Sequence, residues 1–342
     1  MNPKEKFYAA KQLENISDWD AAQKAYLEIT KLPGRLSIQA SRRRASCLMH
    51  LQRWNEMRTE VDAVFNSGAA ILDADISRRL IVLSYEQDSC EAYRMIDAHI
   101  KRWMQSQPEN HIQNGQVILT AAPPKSGSTS LAEALAGATG AKKTKYLCFQ
   151  RYSVSRGLPS VSTLNRLRGV SIVDHCHLAP DPDFMMQVQA MPWVRIAVHF
   201  RHPVDMLLSV IDMVLRRRAP IMLLSEPRLV GACPDFVKEW ALTRYLPEML
   251  DWMRNWLKFV DSRHPSILSL TTLEQMKDLG QDRLAAQILE KAGLPYLDGV
   301  HTRSRRMGNR LSGKGKVTLS QAQRDFVINA VPKTMTERFH WE

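Results

Sequence analysis

The chain has 342 residues, and its 47 lysines and arginines outnumber its 35 aspartates and glutamates, giving a formal net charge of +12. Hydrophobic residues make up 44% of the sequence and charged residues 24%, which excludes a disordered or collagen-like chain. Residues 1–110 carry 16 basic and 15 acidic side chains, whereas residues 111–342 carry 31 and 20. This excess predicts an anionic partner for the second segment: nucleic acid, a membrane surface or a phosphorylated small molecule.

The cysteines and the N-terminus limit the cellular compartment. Five scattered cysteines without a Cys-x-x-Cys pair argue against a disulfide framework and against a cysteine-ligated zinc. The first residues lack the apolar core of a signal peptide, and no run approaches the roughly 18 apolar residues of a spanning helix. We therefore expect a cytoplasmic protein without a membrane span.

Apolar residues recur at helical spacing in the first segment. A period near 35, with Pro33 and Gly34 between the first two copies, resembles tetratricopeptide repeats, whose period is about 34. An irregular helical bundle with an aromatic core is the alternative. We expect an all-helical domain over residues 1–110, and its near-neutral surface suits a protein partner. The three copies are Trp19, Ala22, Tyr26 and Ile29; Trp54, Met57, Val61 and Val64; and Ala92, Ile96 and Ile100.

After residue 110, short apolar runs alternate with amphipathic stretches. This alternation predicts an α/β domain over residues 111–342, in which helices cover both faces of a parallel sheet. The predicted strands are Val117–Ala122, Val170–Val173, Val194–Phe200 and Ser266–Leu270, and the predicted helices include Ser130–Ala138, Val204–Arg217, Asp235–Val260 and Gln281–Ala292.

A loop rich in Pro, Ser and Gly follows the first predicted strand and opens a helix. Such a loop directs backbone N–H groups and the helix dipole at one anion. Lys125 adds a full charge to the loop. The loop is not a Walker A motif, because Lys125 precedes Gly127 instead of following the last glycine. Hydroxyl donors are supplied by Ser126, Ser128 and Thr129.

Pro124–Leu131 resembles the 5′-phosphosulfate loop of the sulfotransferase family and matches every defined position of that motif. The resemblance implies a P-loop-like domain that binds 3′-phosphoadenosine-5′-phosphosulfate (PAPS), releases adenosine 3′,5′-bisphosphate (PAP) and needs no metal. Lys125 would stabilise the departing phosphate oxygen. The implied loop contacts to the nucleotide are Lys125, Ser126, Gly127, Ser128, Thr129 and Ser130.

Three later segments are similar to sulfotransferase motifs in the same order. Ile196–Ser209 resembles the 3′-phosphate motif, in which Arg201 ends a strand and Ser209 lies eight residues later. Ser266–Glu274 resembles a late strand and turn of the family. The stretch Arg303–Lys316, with six basic residues and no acid, loosely resembles the segment that closes over the 3′-phosphate. Within it the resemblance nominates Arg306, Gly313 and Lys314 as nucleotide contacts.

The candidate base lies in Ser171–Pro180, where His177-Leu178 coincides with the His-Leu of a sulfotransferase Lys-Thr-His-Leu-Pro segment. A neutral imidazole with a pKa near ~6.5 suits proton abstraction. His175 would share a strand face with His177 and is the alternative base. A structural histidine pair and a metal-binding His-Cys-His triple are the other interpretations. The glutamate that some relatives use as a base has no counterpart in residues 140–146.

The resemblance implies in-line transfer of a sulfuryl group to a hydroxyl, with a glycan as the first-choice acceptor. A protein tyrosine or a small metabolite is the alternative acceptor, and Arg216–Pro234 is expected to flank the acceptor cleft. A P-loop-like nucleotide kinase and a non-enzymatic nucleotide-binding repeat scaffold are the competing functions. We expect no nucleic-acid partner, because no aromatic residues interleave the basic stretch.

Overall fold

A computed structural model describes residues 2–105, 115–145, 147, 157–216, 226–295, 297 and 317–341. The first segment contains α1 (Pro3–Asn15), α2 (Trp19–Thr30), α3 (Arg35–Leu51), α4 (Trp54–Asn66), α5 (Asp73–Tyr85) and α6 (Ser89–Gln105). Next come β1 (Val117–Ala121), α7 (Ser128–Thr139), β2 (Lys142–Thr144), α8 (Val161–Arg166), β3 (Ile172–Cys176), α9 (Pro182–Gln189), β4 (Val194–Phe200) and α10 (Pro203–Leu215). The chain continues through α11 (Pro234–Trp240), a π-helical segment (Ala241–Tyr245), α12 (Leu246–Asp261), β5 (Ile267–Thr272), α13 (Leu273–Leu279), α14 (Gln281–Lys291), α15 (Gln321–Ala330) and α16 (Lys333–Phe339).

The helices α1–α6 follow the apolar periodicity of the sequence. The buried side chains of α2, α4 and α6 include every predicted residue of the three copies except Trp19, which is partly exposed. Each helix contacts the next one along the chain, as stacked helical pairs do. The described part of the first segment is therefore all-helical, and its kinship with tetratricopeptide repeats stays a prediction.

The five strands form one sheet in the order β2-β3-β1-β4-β5, and all neighbouring pairs are parallel. Side chains alternate between the two faces of a strand. Val117 and Leu119 enter one apolar core with α6, α9 and α10, whereas Ile118 enters a second core with α7 and α14. The prediction of a parallel sheet between two helical layers is confirmed.

The third helical pair packs on the sheet domain. Ile96 and Ile100 of α6 belong to the same apolar core as Val117 of β1. The Tyr93 hydroxyl donates to the Leu158 carbonyl at 3.0 Å, and the Thr163 hydroxyl donates to the Asp97 carboxylate at 2.5 Å. α6 therefore joins the helical segment to the α/β segment. The domain boundary predicted near residue 110 falls among residues 106–114, outside the described residues.

Most predicted elements differ from the observed ones by one or two residues at their ends, and two differ by more. β3 runs through Cys176, beyond the predicted end at Val173, because polar Asp174 and His175 pair with β1 in the ladder. The single helix predicted over residues 235–260 is divided by the π-helical segment before Pro247. Proline has no N–H to donate and clashes with the preceding turn, so the α-helical hydrogen bonding cannot pass through it unchanged.

Within the part of the chain that the structure describes, no helix combines the length and the apolar character that a bilayer span requires.

Candidate active site

The carboxyl ends of β1, β3 and β4 meet at one edge of the sheet, where the sequence motifs converge. The loop after β1 turns sharply: the Ser126 N–H donates to the Pro123 carbonyl at 3.3 Å. Lys125 and Gly127 adopt positive φ angles of 69° and 92°. This conformation links a fully buried strand to the first residue of α7, Ser128, within a few residues. The loop thus lies at the positive end of the α7 dipole.

Gly127 is required at its position by both conformation and space. Its φ of 92° favours glycine, and a Cβ there would lie 2.6 Å from Leu273 Cδ1 and 3.2 Å from Met276 Cε. Both neighbours belong to the α13 turn after β5. The loop therefore packs against α13, and a larger residue at position 127 would require the Leu273 side chain or the loop to shift.

The hydroxyl groups of the loop differ in their surroundings. Ser126 is fully buried, and its Oγ has no hydrogen-bond partner among the described residues. Ser128 is 3% exposed, whereas Thr129 and Lys125 are exposed. A buried hydroxyl without a partner is costly, and an anion held by the loop would satisfy it. The buried Ser126 Oγ and the glycine-shaped turn thus fit the phosphosulfate group that the sequence motif implies.

His175, from the end of β3, contacts the first turn of α7. Its Nε2 lies 2.8 Å from Ser128 Oγ and 3.4 Å from Thr129 Oγ1. Burial and, to a smaller extent, the positive charges of Lys143 and Lys145 lower the pKa of His175 to about 4, while Glu133 opposes this shift. The imidazole of His175 is therefore neutral at physiological pH.

His177 follows β3 and lies beside the start of the loop. Its Nδ1 donates to the Ala122 carbonyl, with 2.5 Å between the two atoms. A carbonyl oxygen only accepts, so in the neutral imidazole the proton is on Nδ1 and the lone pair is on Nε2. The rings of His175 and His177 are 5.4 Å apart in an edge-to-face arrangement. The structure therefore brings both candidate histidines to the phosphosulfate-type loop.

Asp174, which the sequence motifs did not single out, supports this strand from within the sheet. It is fully buried and accepts hydrogen bonds from Thr144 Oγ1 at 2.6 Å and from the Leu147 N–H at 3.2 Å. These bonds attach β2 and the residues after it to β3. A carboxylate directly after the predicted apolar strand Val170–Val173 was the only signal in the sequence.

Arg201, at the end of β4, is placed beneath the loop. Its side chain is 3% exposed and donates to the Lys125 carbonyl at 3.0 Å. It also lies 3.5 Å from the Asp205 carboxylate, and its Nε has no hydrogen-bond partner in the described part of the chain. Ser209, two turns into α10, is half-buried. The role of these two residues at a 3′-phosphate stays a prediction.

His199 is a further residue that the motifs did not identify. It is fully buried, and its Nδ1 lies 2.9 Å from Thr271 Oγ1 across the β4–β5 pair. Burial lowers its pKa to about 4, and the nearby Ser126 backbone opposes this shift. A histidine two residues before the predicted phosphate-binding Arg201 was the available signal. His199 joins β4 to β5 through Thr271.

Of the two later segments that resemble sulfotransferase motifs, Ser266–Glu274 lies within the described residues. The turn after β5 carries a capping box in which Thr272 and Gln275 bond each other's backbone. Glu274 accepts a hydrogen bond from the His202 N–H at 3.4 Å, so this turn contacts the Arg201 region. The stretch Arg303–Lys316, with the nominated Arg306, Gly313 and Lys314, lies outside the described residues. Residues 217–225 of the expected acceptor flank lie outside them as well.

In the described ranges, no group of three or more histidine, cysteine, aspartate or glutamate side chains is arranged to hold a metal ion. The Nδ1 of His177 is directed at a backbone carbonyl, and the Nε2 of His175 at two hydroxyls.

Comparison with known proteins gives similarity to solved structures alone. No protein-family model matches the sequence, and no curated protein matches it. Among solved structures, the chain is similar to a mouse sulfotransferase complexed with PAP, at 17% sequence identity and a TM-score of 0.37. The similarity covers 67% of this chain and 82% of the mouse protein.

Proposed function

We propose that the chain is a sulfotransferase that transfers a sulfuryl group from PAPS to a hydroxyl acceptor. The observation that carries this proposal is the loop after β1. It combines Lys125 at its tip with the buried Ser126 Oγ, for which the described residues offer no hydrogen-bond partner, and two histidines adjoin it from β3 and its end. The kinase alternative is weaker, because Lys125 precedes Gly127 and buried Asp174 is bonded to Thr144 inside the sheet.

The order of the strands supports a division of the site. β1 is central, with β4 on one side and β3 on the other. Arg201 and Ser209 follow β4, so the nucleotide and its 3′-phosphate belong to that side. His175 lies at the end of β3 and His177 just after it, so the acceptor belongs to the other side. Arg306, Gly313 and Lys314 remain proposed contacts that would close over the nucleotide. This division supports an in-line reaction, in which the acceptor oxygen, the sulfur and the departing oxygen align above β1.

His177 is the proposed base. It takes the acceptor proton at Nε2 as the acceptor oxygen bonds to sulfur and the bond from sulfur to the phosphate oxygen breaks. Its Nδ1 donates to the Ala122 carbonyl throughout and fixes the ring. Lys125 offsets the negative charge that develops on the departing oxygen, and the N-terminus of α7 adds its dipole. Side chains and backbone N–H groups supply all of this stabilisation in the proposal.

The acceptor in this proposal is a glycan, with a protein tyrosine or a small metabolite as alternatives. The helical segment, which packs beside α8 through α6, provides an additional surface for a large acceptor or a protein partner. A panel of glycans, tyrosine peptides and phenols incubated with radiolabelled PAPS distinguishes these acceptors.

The mechanism is tested with Lys125→Ala and His177→Asn, with Lys291→Ala at the exposed end of α14 as the control. Loss of Lys125 is expected to lower kcat by about 10²- to 10³-fold. Loss of His177 is expected to lower it by about 10²- to 10⁴-fold and to remove the acidic limb of the pH profile. Unchanged sulfation in both variants would overturn the mechanism, and failure of the wild type to bind PAP would overturn the proposed function.

A further inference from the structure

We propose that His175 is a positioning residue: it orients the Ser128 hydroxyl at the start of α7 toward the donor's phosphosulfate group. This inference rests on the proposed function, because it assigns a role within the same loop. It separates the two histidines of the His-Cys-His triple, whose side chains both adjoin the loop. His177 takes the proton, and His175 holds the anion-binding turn.

The contacts of the two rings support different roles. The Nε2 of His175 is directed at Ser128 Oγ at 2.8 Å and at Thr129 Oγ1 at 3.4 Å. The ring of His177 instead bonds the Ala122 carbonyl, at the opposite end of the loop. The loop is thus held at both ends, by His175 at the end of β3 and by His177 just after it. A nitrogen engaged by loop hydroxyls is badly placed to receive a proton from an acceptor.

The proton count at Ser128 explains what His175 does. A hydroxyl has one proton, so Ser128 can donate either to His175 or to an anion oxygen. An anion above the N-terminus of α7 accepts a hydrogen bond from the Ser128 hydroxyl. Ser128 Oγ then accepts a hydrogen bond from His175 Nε2–H. The result is a chain of hydrogen bonds from imidazole to hydroxyl to anion, in which each bond strengthens the next.

The surroundings keep His175 in the neutral form that this chain needs. Lys143 and Lys145 extend from the β2 edge, Glu133 from α7 forms an ion pair with Lys143 at 2.6 Å, and the ring of His177 lies 5.4 Å away. Burial and the two lysines hold the pKa of His175 at about 4. A group that titrates so far below neutrality is a poor general base at pH 7 but a stable hydrogen-bond donor.

The test compares His175→Ala, Ser128→Ala, the double variant and His175→Gln. PAP binding is measured by calorimetry, and kcat/KM is measured against pH. We expect each alanine variant to weaken PAP binding by about 3- to 10-fold, the value of one hydrogen bond. The double variant should bind no more weakly than Ser128→Ala. The Gln amide, which can donate from the position of Nε2, should restore affinity to within about 2-fold and leave the acidic limb unchanged.

Three results would overturn the inference: unchanged PAP affinity in His175→Ala, additive losses in the double variant, or an acidic limb that disappears in His175→Gln. The last result would make His175 the base. Equilibrium unfolding of each variant checks that the fold is kept. If the wild type does not bind PAP, the proposed function fails. The wild type and the four variants are then titrated with inorganic pyrophosphate. Non-additive losses of affinity in the double variant would uphold the inference, and additive losses would overturn it.

Discussion

Lys125 illustrates how one strained residue shapes the loop. A non-glycine residue at a φ of 69° costs roughly 1 kcal/mol, and such strain persists only when the surroundings enforce it. Arg201 provides the restraint, because its buried guanidinium donates to the carbonyl of Lys125 at 3.0 Å. The arginine that the sequence assigns to a phosphate therefore also holds the backbone of the loop. The side chain of Lys125 is thereby presented outward, at the tip of the turn.

Gly127 yields the sharpest prediction at the residue scale. Gly127→Ala should lower the free energy of unfolding by about 2–4 kcal/mol, because it adds overpacking to the strain of a positive φ. PAP affinity should fall with it, since the loop must move away from Leu273. Chemical denaturation and calorimetry measure the two effects.

Gly68→Ala is the matched control for this substitution. Gly68 has a φ of 70°, but a Cβ there would meet nothing within 4 Å. It should cost only the backbone strain, about 1 kcal/mol, and leave PAP affinity unchanged. Equal losses of stability in the two variants would contradict the packing argument.

Buried His199 should make the free energy of unfolding depend on pH below neutrality. Its pKa is lowered to about 4 by burial, whereas in the unfolded chain it titrates near ~6.5. Between these values the unfolded state binds the additional proton, so the free energy of unfolding falls as the pH falls from about 6.5 to 4. The loss from this residue alone is on the order of 3 kcal/mol.

His199→Asn, which can keep the bond to Thr271, should flatten the pH dependence of unfolding by up to one proton in that window. Exposed His340 provides the control, because its φ of 54° tolerates asparagine. His340→Asn should leave the slope as in the wild type. An unchanged slope in His199→Asn would refute the assignment.

At the scale of elements, α3 and α5 are joined by a buried ionic cluster. Asp75 is 2% exposed and accepts from Arg42 Nη2 at 2.9 Å and from Arg78 Nη1 at 3.0 Å. It also caps α5 by accepting from the Leu72 N–H at 3.0 Å. Such a cluster does more to fix how two helices meet than to add stability, but removing one member leaves uncompensated charge.

Asp75→Asn should therefore lower the free energy of unfolding by about 3–5 kcal/mol, because two arginines lose their shared carboxylate. Asp62→Asn is the control: Asp62 pairs with Arg79 at 2.5 Å, but its side chain is 40% exposed. That substitution should cost about 1 kcal/mol or less. Urea titrations measure both variants, and similar costs would show that burial does not govern the cluster.

At the scale of the whole molecule, α6 connects the two segments through a shared core. Ile96 and Ile100 pack in the same apolar cluster as β1, whereas Ala22, Tyr26 and Ile29 of α2 form a separate cluster. A ligand that stabilises the loop after β1 is therefore expected to stabilise α6 through contiguous packing, whereas α1 and α2 lie outside that core. The stability of α6 is thus expected to depend on the sheet, whereas that of α1 and α2 is not.

PAP at about 100 times its Kd should raise the free energy of unfolding of the sheet by about 2.7 kcal/mol. Hydrogen exchange should slow in β1 and in α6 together, because they share a core, and should change little in α1 and α2. Mass spectrometry resolves these segments. Protection that stops at the start of β1 would contradict the shared core, and equal protection of α2 would contradict the division.

The sequence could predict the loop, the apolar strands and the helical copies, because each depends on neighbours a few residues apart. Val194–Phe200 was predicted to the residue, since its apolar run coincides with the strand. β3 was misplaced, because Asp174 is buried by a partner on another strand, Thr144, which no local pattern reveals. His199 was missed for the same reason, since its partner Thr271 is 72 residues away.

The sequence by itself determined that a tight turn rich in Pro, Ser and Gly follows the first strand, that most of the net charge belongs to the second segment and that helices precede a parallel sheet. Only the tertiary structure decided that His175 bonds Ser128 while His177 bonds Ala122, and that Arg201 is buried beneath Lys125. The physical reason is that backbone preference and apolar periodicity are local properties. The distance between two side chains on different strands is set by sheet order, register and packing.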